Sequence, residues 1–146
     1  MTNLTSHILW LSLFISNASM VLSDEIEGSP ERLNCTFGNG VLISYADGKF
    51  IEEPAKELSF AFLKIDLDGQ KAELEKKSDQ KSQTVRIVRA LNANHFLEVV
   101  NEGFLNLTTI YDKDLTLELY PAVHSRHLGL LGQPVYGHYT GTCKEN

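Results

Sequence analysis

Three turn signals, each set between runs that alternate apolar and polar residues, constrain this chain more than any other feature. Asp47-Gly48 and Asp68-Gly69 are dipeptides of the kind that close two-residue hairpins, where both positions need positive φ. Asn101-Glu102-Gly103 offers a three-residue loop with glycine at the left-handed position. Pairing outward from Asp68-Gly69 sets Asp66 opposite Lys71 and Lys64 opposite Glu73 on one face, with Ile65 opposite Ala72 and Leu63 opposite Leu74 on the other. Charge pairing and burial agree on one register, so a hairpin is preferred to the helix that residues 70–81 allow by propensity. Asp47-Gly48 turns residues 42–46 back into 49–51 with Tyr45 opposite Phe50, and the third turn pairs Val99 with Leu105 and Leu97 with Leu107.

Around these hairpins lie further strand candidates at 33–37, 84–91, 116–120 and 135–140. Within 58–67 the alternation of Phe60 and Phe62 shifts to Leu63, Ile65 and Leu67, which predicts a bulge near Phe62 and Leu63. About eight to nine short strands with closely spaced turns predict an all-β fold, a small antiparallel barrel or a sandwich. The barrel is preferred, because closure removes exposed edges and a bulge is a usual way of curving a sheet. Residues 76–83 are polar and read as an exposed loop. Residues 121–134 form the longest stretch without strand alternation yet are not especially polar, which predicts an ordered loop, either a packed plug or a functional one.

Charge divides the chain sharply. It has 146 residues with 13 Lys and Arg against 19 Asp and Glu, a net charge of −6, and none of these charges falls within residues 1–23. That segment reads as a secretory signal: residues 8–15 are an apolar run, Ser23 is a small residue at the cut, and Asp24-Glu25 follow. An uncleaved anchor is the alternative, since the start lacks Lys and Arg and the run is long enough to span a bilayer. Residues 24–31 read as a flexible lead-in and 32–146 as a single β-domain. The acidic balance argues against nucleic acid as a partner, and a membrane is implied only if 1–23 are retained. The chain is expected to be exported, periplasmic or secreted. In that compartment the only two cysteines, Cys35 and Cys143, predict a disulfide. Closing a loop of that length contributes about 4 to 5 kcal/mol in the chain-entropy model.

The one cluster of potentially reactive side chains is His124, Arg126, His127 and His138. His124 and His127 share a face only on a helical turn, and in a strand they point oppositely, so no metal or cofactor is assigned. Ser125 lacks a nucleophile elbow and a third triad residue, so no catalytic residue is assigned either. A calcium loop over 64–75 fails because Lys64 stands where the first carboxylate ligand is needed. Asn34-Cys35-Thr36 and Asn106-Leu107-Thr108 are glycosylation sequons.

The run from Pro121 to Pro134, with its Ser125-Arg126-His127 and Leu131-Gly132-Gln133-Pro134 pieces, resembles the ending of a group of small exported bacterial proteins. In these a signal peptide precedes a β-rich domain with Cys-x-Phe near its start, here Cys35-Thr36-Phe37, and Gly-x-Cys at its end, here Gly141-Thr142-Cys143. The resemblance implies the compartment and the disulfide and carries no activity. More distantly the layout is similar to periplasmic lysozyme inhibitors built as small disulfide-closed barrels, without an inhibitory loop that transfers residue by residue.

The function expected is a non-enzymatic exported binding module for a protein or a small ligand, with His124, Arg126, His127 and His138 as its ligand-binding residues. The alternatives are a histidine-based metal-binding protein or enzyme centred on residues 121–134, and a structural cell-envelope protein.

Overall fold

The alternation resolves into antiparallel strands: β1 Arg32–Ala46, β2 Lys49–Pro54, β3 Leu58–Asp66, β4 Lys71–Lys76, β5 Gln83–Arg89, β6 Ala93–Asn101, β7 Phe104–Tyr111, β8 Tyr120–Leu128 and β9 Val135–Glu145. The computed structural model describes residues 30–76, 81–101, 103–129 and 133–146. The signal reading of 1–23, most of the lead-in at 24–31, and residues 77–80 of the polar loop lie outside them.

From β3 to β9 each strand pairs with the next, and β9 pairs with β1, so these strands close an eight-stranded barrel and the sandwich alternative falls. β1 is long enough to serve two neighbours on one edge. Its residues Arg32 to Phe37 pair with β3, and Val41 to Ala46 pair with β2, which lies outside the closed ring. Its other edge pairs with β9, with a bulge between Thr36 and Asn39.

Of the three predicted turns one forms as expected and two differ. Asp47 and Gly48 hold φ of 51° and 78°, a type I′ turn, and Tyr45 packs edge-on against Phe50 at 5.0 Å between ring centroids. Val99 faces Leu105 and Leu97 faces Leu107 as expected, but Asn101 belongs to β6 and pairs with Phe104 after a register shift, so the three-residue loop expected at 101–103 is not observed; Gly103 holds φ of 127°. Between β3 and β4, Asp66 faces Lys71 as expected, and the Lys64 side chain reaches Glu73 at 2.8 Å although Lys64 itself lies in the bulge and not opposite it. The Asp68-Gly69 two-residue turn does not form. Asp66 Oδ1 instead accepts the Gly69 N–H at 2.7 Å, and the positive φ passes to Gln70 at 52°. The bulge also lies later than expected, between Leu63 and Asp66, with Lys64 at φ 49°. It sets Leu63 opposite Glu73 and Phe62 opposite Leu74, not Leu63 opposite Leu74.

Two expectations are overturned. Residues 121–128 of the expected 121–134 loop are strand: β8 runs through Leu128 and is paired on both sides, while residues 130–132 lie outside the described residues. Residues 116–118 form a turn and not a strand, and of the expected 116–120 strand only Tyr120, the first residue of β8, is in one. Asp114 Oδ1 accepts the N–H groups of Thr116 and Leu117 at 2.9 and 3.2 Å, an Asx turn that outweighs the Thr-Leu alternation.

The interior is built from Leu33 and Phe37 of β1, Phe62 of β3, Leu74 of β4, Val85 and Ile87 of β5, Phe96 of β6 and Ile110 of β7. Cys35 and Cys143 face each other across the closing seam of β1 and β9 and form a buried disulfide, with Cα atoms 4.0 Å apart. Glycine is required at 141 beside it, since a Cβ there would lie 2.1 Å from the Thr36 carbonyl oxygen and 2.7 Å from Phe37 Cα. The Gly-x-Cys ending thus has a mechanical reason. The β1 bulge leans on β9, and only a bare Cα lets the two strands close.

Candidate functional site

Closing the sheet brings distant residues into rows around the barrel. One row runs Ile87, Phe96, Thr108, His124, Tyr139 and Gly40. The next, nearer the β6–β7 turn, runs Glu98, Asn106, Arg126, Gly137 and Leu42. Of these rows, Glu98, Asn106, His124 and Arg126 line an open cavity of about 440 Å³, to which Leu58 and Phe60 of β3 and Leu74 and Lys76 of β4 also contribute.

Its polar groups are unusually deep for a small barrel. Glu98 is 3% exposed and His124 is 5% exposed. A buried carboxylate is tolerable only when paired and hydrogen-bonded. Glu98 Oε1 takes the Lys76 ammonium, and Oε2 accepts from Asn106 Nδ2 at 2.7 Å, so both oxygens are occupied. Thr108 Oγ1 and His124 Nδ1 lie 2.8 Å apart, while the rings of Phe37, Phe60 and Tyr139 surround the imidazole at centroid distances of 5.5, 5.2 and 5.9 Å. Burial, and then the nearby charges of Arg126 and Lys76, push the His124 pKa down to about 3, so this histidine is neutral at ordinary pH. Arg126 is half-buried and lines the same cavity, and among the described residues no carboxylate pairs with it. The exposed Glu57 stands at the rim.

Of the four residues picked out from sequence, two meet here and two do not. His124 and Arg126 sit two apart on β8 and both line the cavity. His127 and His138 lie on the outer wall around Tyr136: the His127 and Tyr136 rings are 5.1 Å apart, and Tyr136 Oη lies 3.0 Å from His138 Nδ1. The barrel wall therefore divides the histidine cluster, and among the described residues no three His, Cys, Asp or Glu come together to hold a metal ion. Lys76, Glu98, Asn106 and Thr108 were missed. Their signal was a carboxylate at Glu98 and polar residues at Asn106 and Thr108, which the leucine-rich alternation makes look like an outer face. The sequon at Asn106 is closed to modification in the folded barrel, because the side chain is buried and bonded to Glu98.

At the other end a second cavity of about 370 Å³ has mainly apolar walls, among them Leu33, Ile65, Phe96, Ile110 and Leu115. Comparison with known proteins finds no family model that matches the chain, no curated protein similar to it and no solved structure that resembles it.

Proposed function

We propose that the barrel is an exported, non-enzymatic binding module for a small amphipathic anion. The acid group of the ligand is set against Arg126 and its apolar body lies against Phe60 and Leu58. The observation that carries this reading is Arg126 itself, a half-buried guanidinium without a carboxylate partner among the described residues, in a cavity of about 440 Å³. Cavities of that size, apolar with a few converging polar groups, are the ordinary form of a small-ligand site. Lys76 is already neutralised by Glu98, so Arg126 is the cation left to recognise an anion, and its planar fork suits a carboxylate. His124 supports binding over acid–base chemistry, because a pKa of about 3 makes it a poor proton acceptor near neutrality. It remains a neutral hydrogen-bonding group at the cavity floor.

Export is supported by the Cys35–Cys143 disulfide, a bond that persists in oxidising compartments, and by the resemblance to small exported bacterial proteins. Calorimetric titration with dodecanoate tests the binding reading. Saturable binding is expected, weakened at least about tenfold in Arg126→Gln, the loss of one charge-assisted hydrogen-bond pair, with unchanged thermal unfolding. Equal affinity in the variant would remove Arg126 from the site and the reading with it.

A further inference from the structure

β2 is the one strand that leaves an edge unpaired among the described residues, since it lies at the end of the strand order and pairs only with β1. All of its residues, Lys49 to Pro54, are exposed. Backbone geometry fixes which groups point outward. Ala55 N–H donates to the Gly40 carbonyl at 2.9 Å, so residue 55 faces β1, and by alternation so do Lys49, Ile51 and Glu53. Phe50 and Glu52 then present their N–H and C=O to solvent, and Pro54 has no N–H to offer.

We propose that this edge pairs antiparallel with β2 of a second copy of the chain, in the register that sets Ile51 opposite Ile51. An antiparallel ladder exchanges hydrogen bonds only between outward-facing residues, which limits self-pairing to registers that match Phe50 or Glu52 with one another or with themselves. Matching Phe50 with Phe50 runs the ladder into the Asp47-Gly48 turn. Matching Glu52 with Glu52 wastes a position on Pro54 and puts two carboxylates face to face. Matching Phe50 with Glu52 of the second copy uses every outward N–H. The same register sets Lys49 opposite Glu53 on both sides of the twofold axis, with the Ile51 pair between them. The edge strand is self-complementary in that register alone, with opposite charges facing and no like charges directly opposed. Charge and proline on an edge ordinarily discourage pairing; here they exclude the other registers and leave this one.

Charge reversal tests it in the purified, oxidised protein. Sedimentation velocity at rising concentration is expected to show a monomer–dimer equilibrium. Lys49→Glu alone and Glu53→Lys alone should each weaken it at least tenfold, since each homodimer opposes like charges. An equimolar mixture of the two variants should dimerise again, because each supplies the charge that the other lacks. Glu52→Pro, which deletes an outward N–H without touching the β1 ladder, should also abolish the dimer. A wild-type protein that stays monomeric to millimolar concentration would overturn the proposal. So would a dimer indifferent to the single reversals, or single variants that fail to recombine.

Discussion

Strands β4 and β5 and strands β6 to β8 belong to one barrel wall yet divide their residues in opposite ways. In β4 and β5 the inward residues are Ala72, Leu74, Val85 and Ile87, with Lys76 at the end of β4 as the one inward charge, and charged Lys71 and Arg86 stand exposed. In β6 to β8 the buried set includes Glu98, Asn106, Thr108 and His124, while Val99 is 62% exposed and Leu105 is 39% exposed on the outside. Oil outside and charge inside costs stability unless each buried polar group is satisfied. No buried side-chain nitrogen or oxygen among the described residues lacks a partner. The first region explains why the barrel holds, and the second holds the polar groups on which the binding proposal rests.

The largest effect that would break this contrast is Glu98→Ala. It leaves the Asn106 amide and the Lys76 ammonium facing an emptied carboxylate site. Urea unfolding is expected to show a loss of about 2 to 4 kcal/mol, reduced from the fully buried case because Lys76 reaches solvent. Replacing the set together sharpens the point: Lys76→Met, Glu98→Leu and Asn106→Leu in one chain should retain stability within about 1 kcal/mol.

Acid gives the next largest effect. The folded His124 pKa of about 3 lies below its ordinary 6.5, so between those values the unfolded chain takes up a proton that the folded one refuses. The stability gained from a neutral His124 is complete above pH 6.5 and is lost as pH falls. At pH 4.5 the loss is about 2 to 3 kcal/mol, and it should vanish in His124→Gln. Glu73 is held below its ordinary value of 4.5 by hydrogen bonds from Lys64 and Ser82, so its contribution begins to fall near 4.5 and below, in the lower part of the same window, and the range from 6.5 down to about 5 isolates His124 from it. In the regular half, Ile87→Val should cost about 1 kcal/mol by methylene loss alone. On the outer wall Val99→Thr should stay within about 0.5 kcal/mol. A large loss there would mean that this apolar surface is covered by something.

The hairpins were legible because their signals are local: a positive-φ dipeptide and cross-strand pairs such as Tyr45 with Phe50. β8 was not, because its inward residues Ala122, His124 and Arg126 alternate with Pro121, Val123, Ser125 and His127, and neither set is consistently apolar. A strand that lines a polar cavity lacks the pattern by which strands are recognised. The site suffered for the same reason. His124 and Arg126 stood out as chemistry, but Glu98, Asn106 and Thr108 come from β6 and β7 and meet them only in the register of the β6–β7 and β7–β8 pairings. The Asp66 side chain that displaces the Asp68-Gly69 turn shows a smaller limit, since one carboxylate within reach of an N–H outweighs a dipeptide preference.

The most direct test of the polar interior as a binding site is amide and side-chain NMR during titration with dodecanoate. Saturable shifts are predicted at Phe60, Asn106, His124 and Arg126, with little change at Leu33, Ile110 and Tyr120. Shifts concentrated at that opposite, apolar end, or none that saturate, would contradict the account.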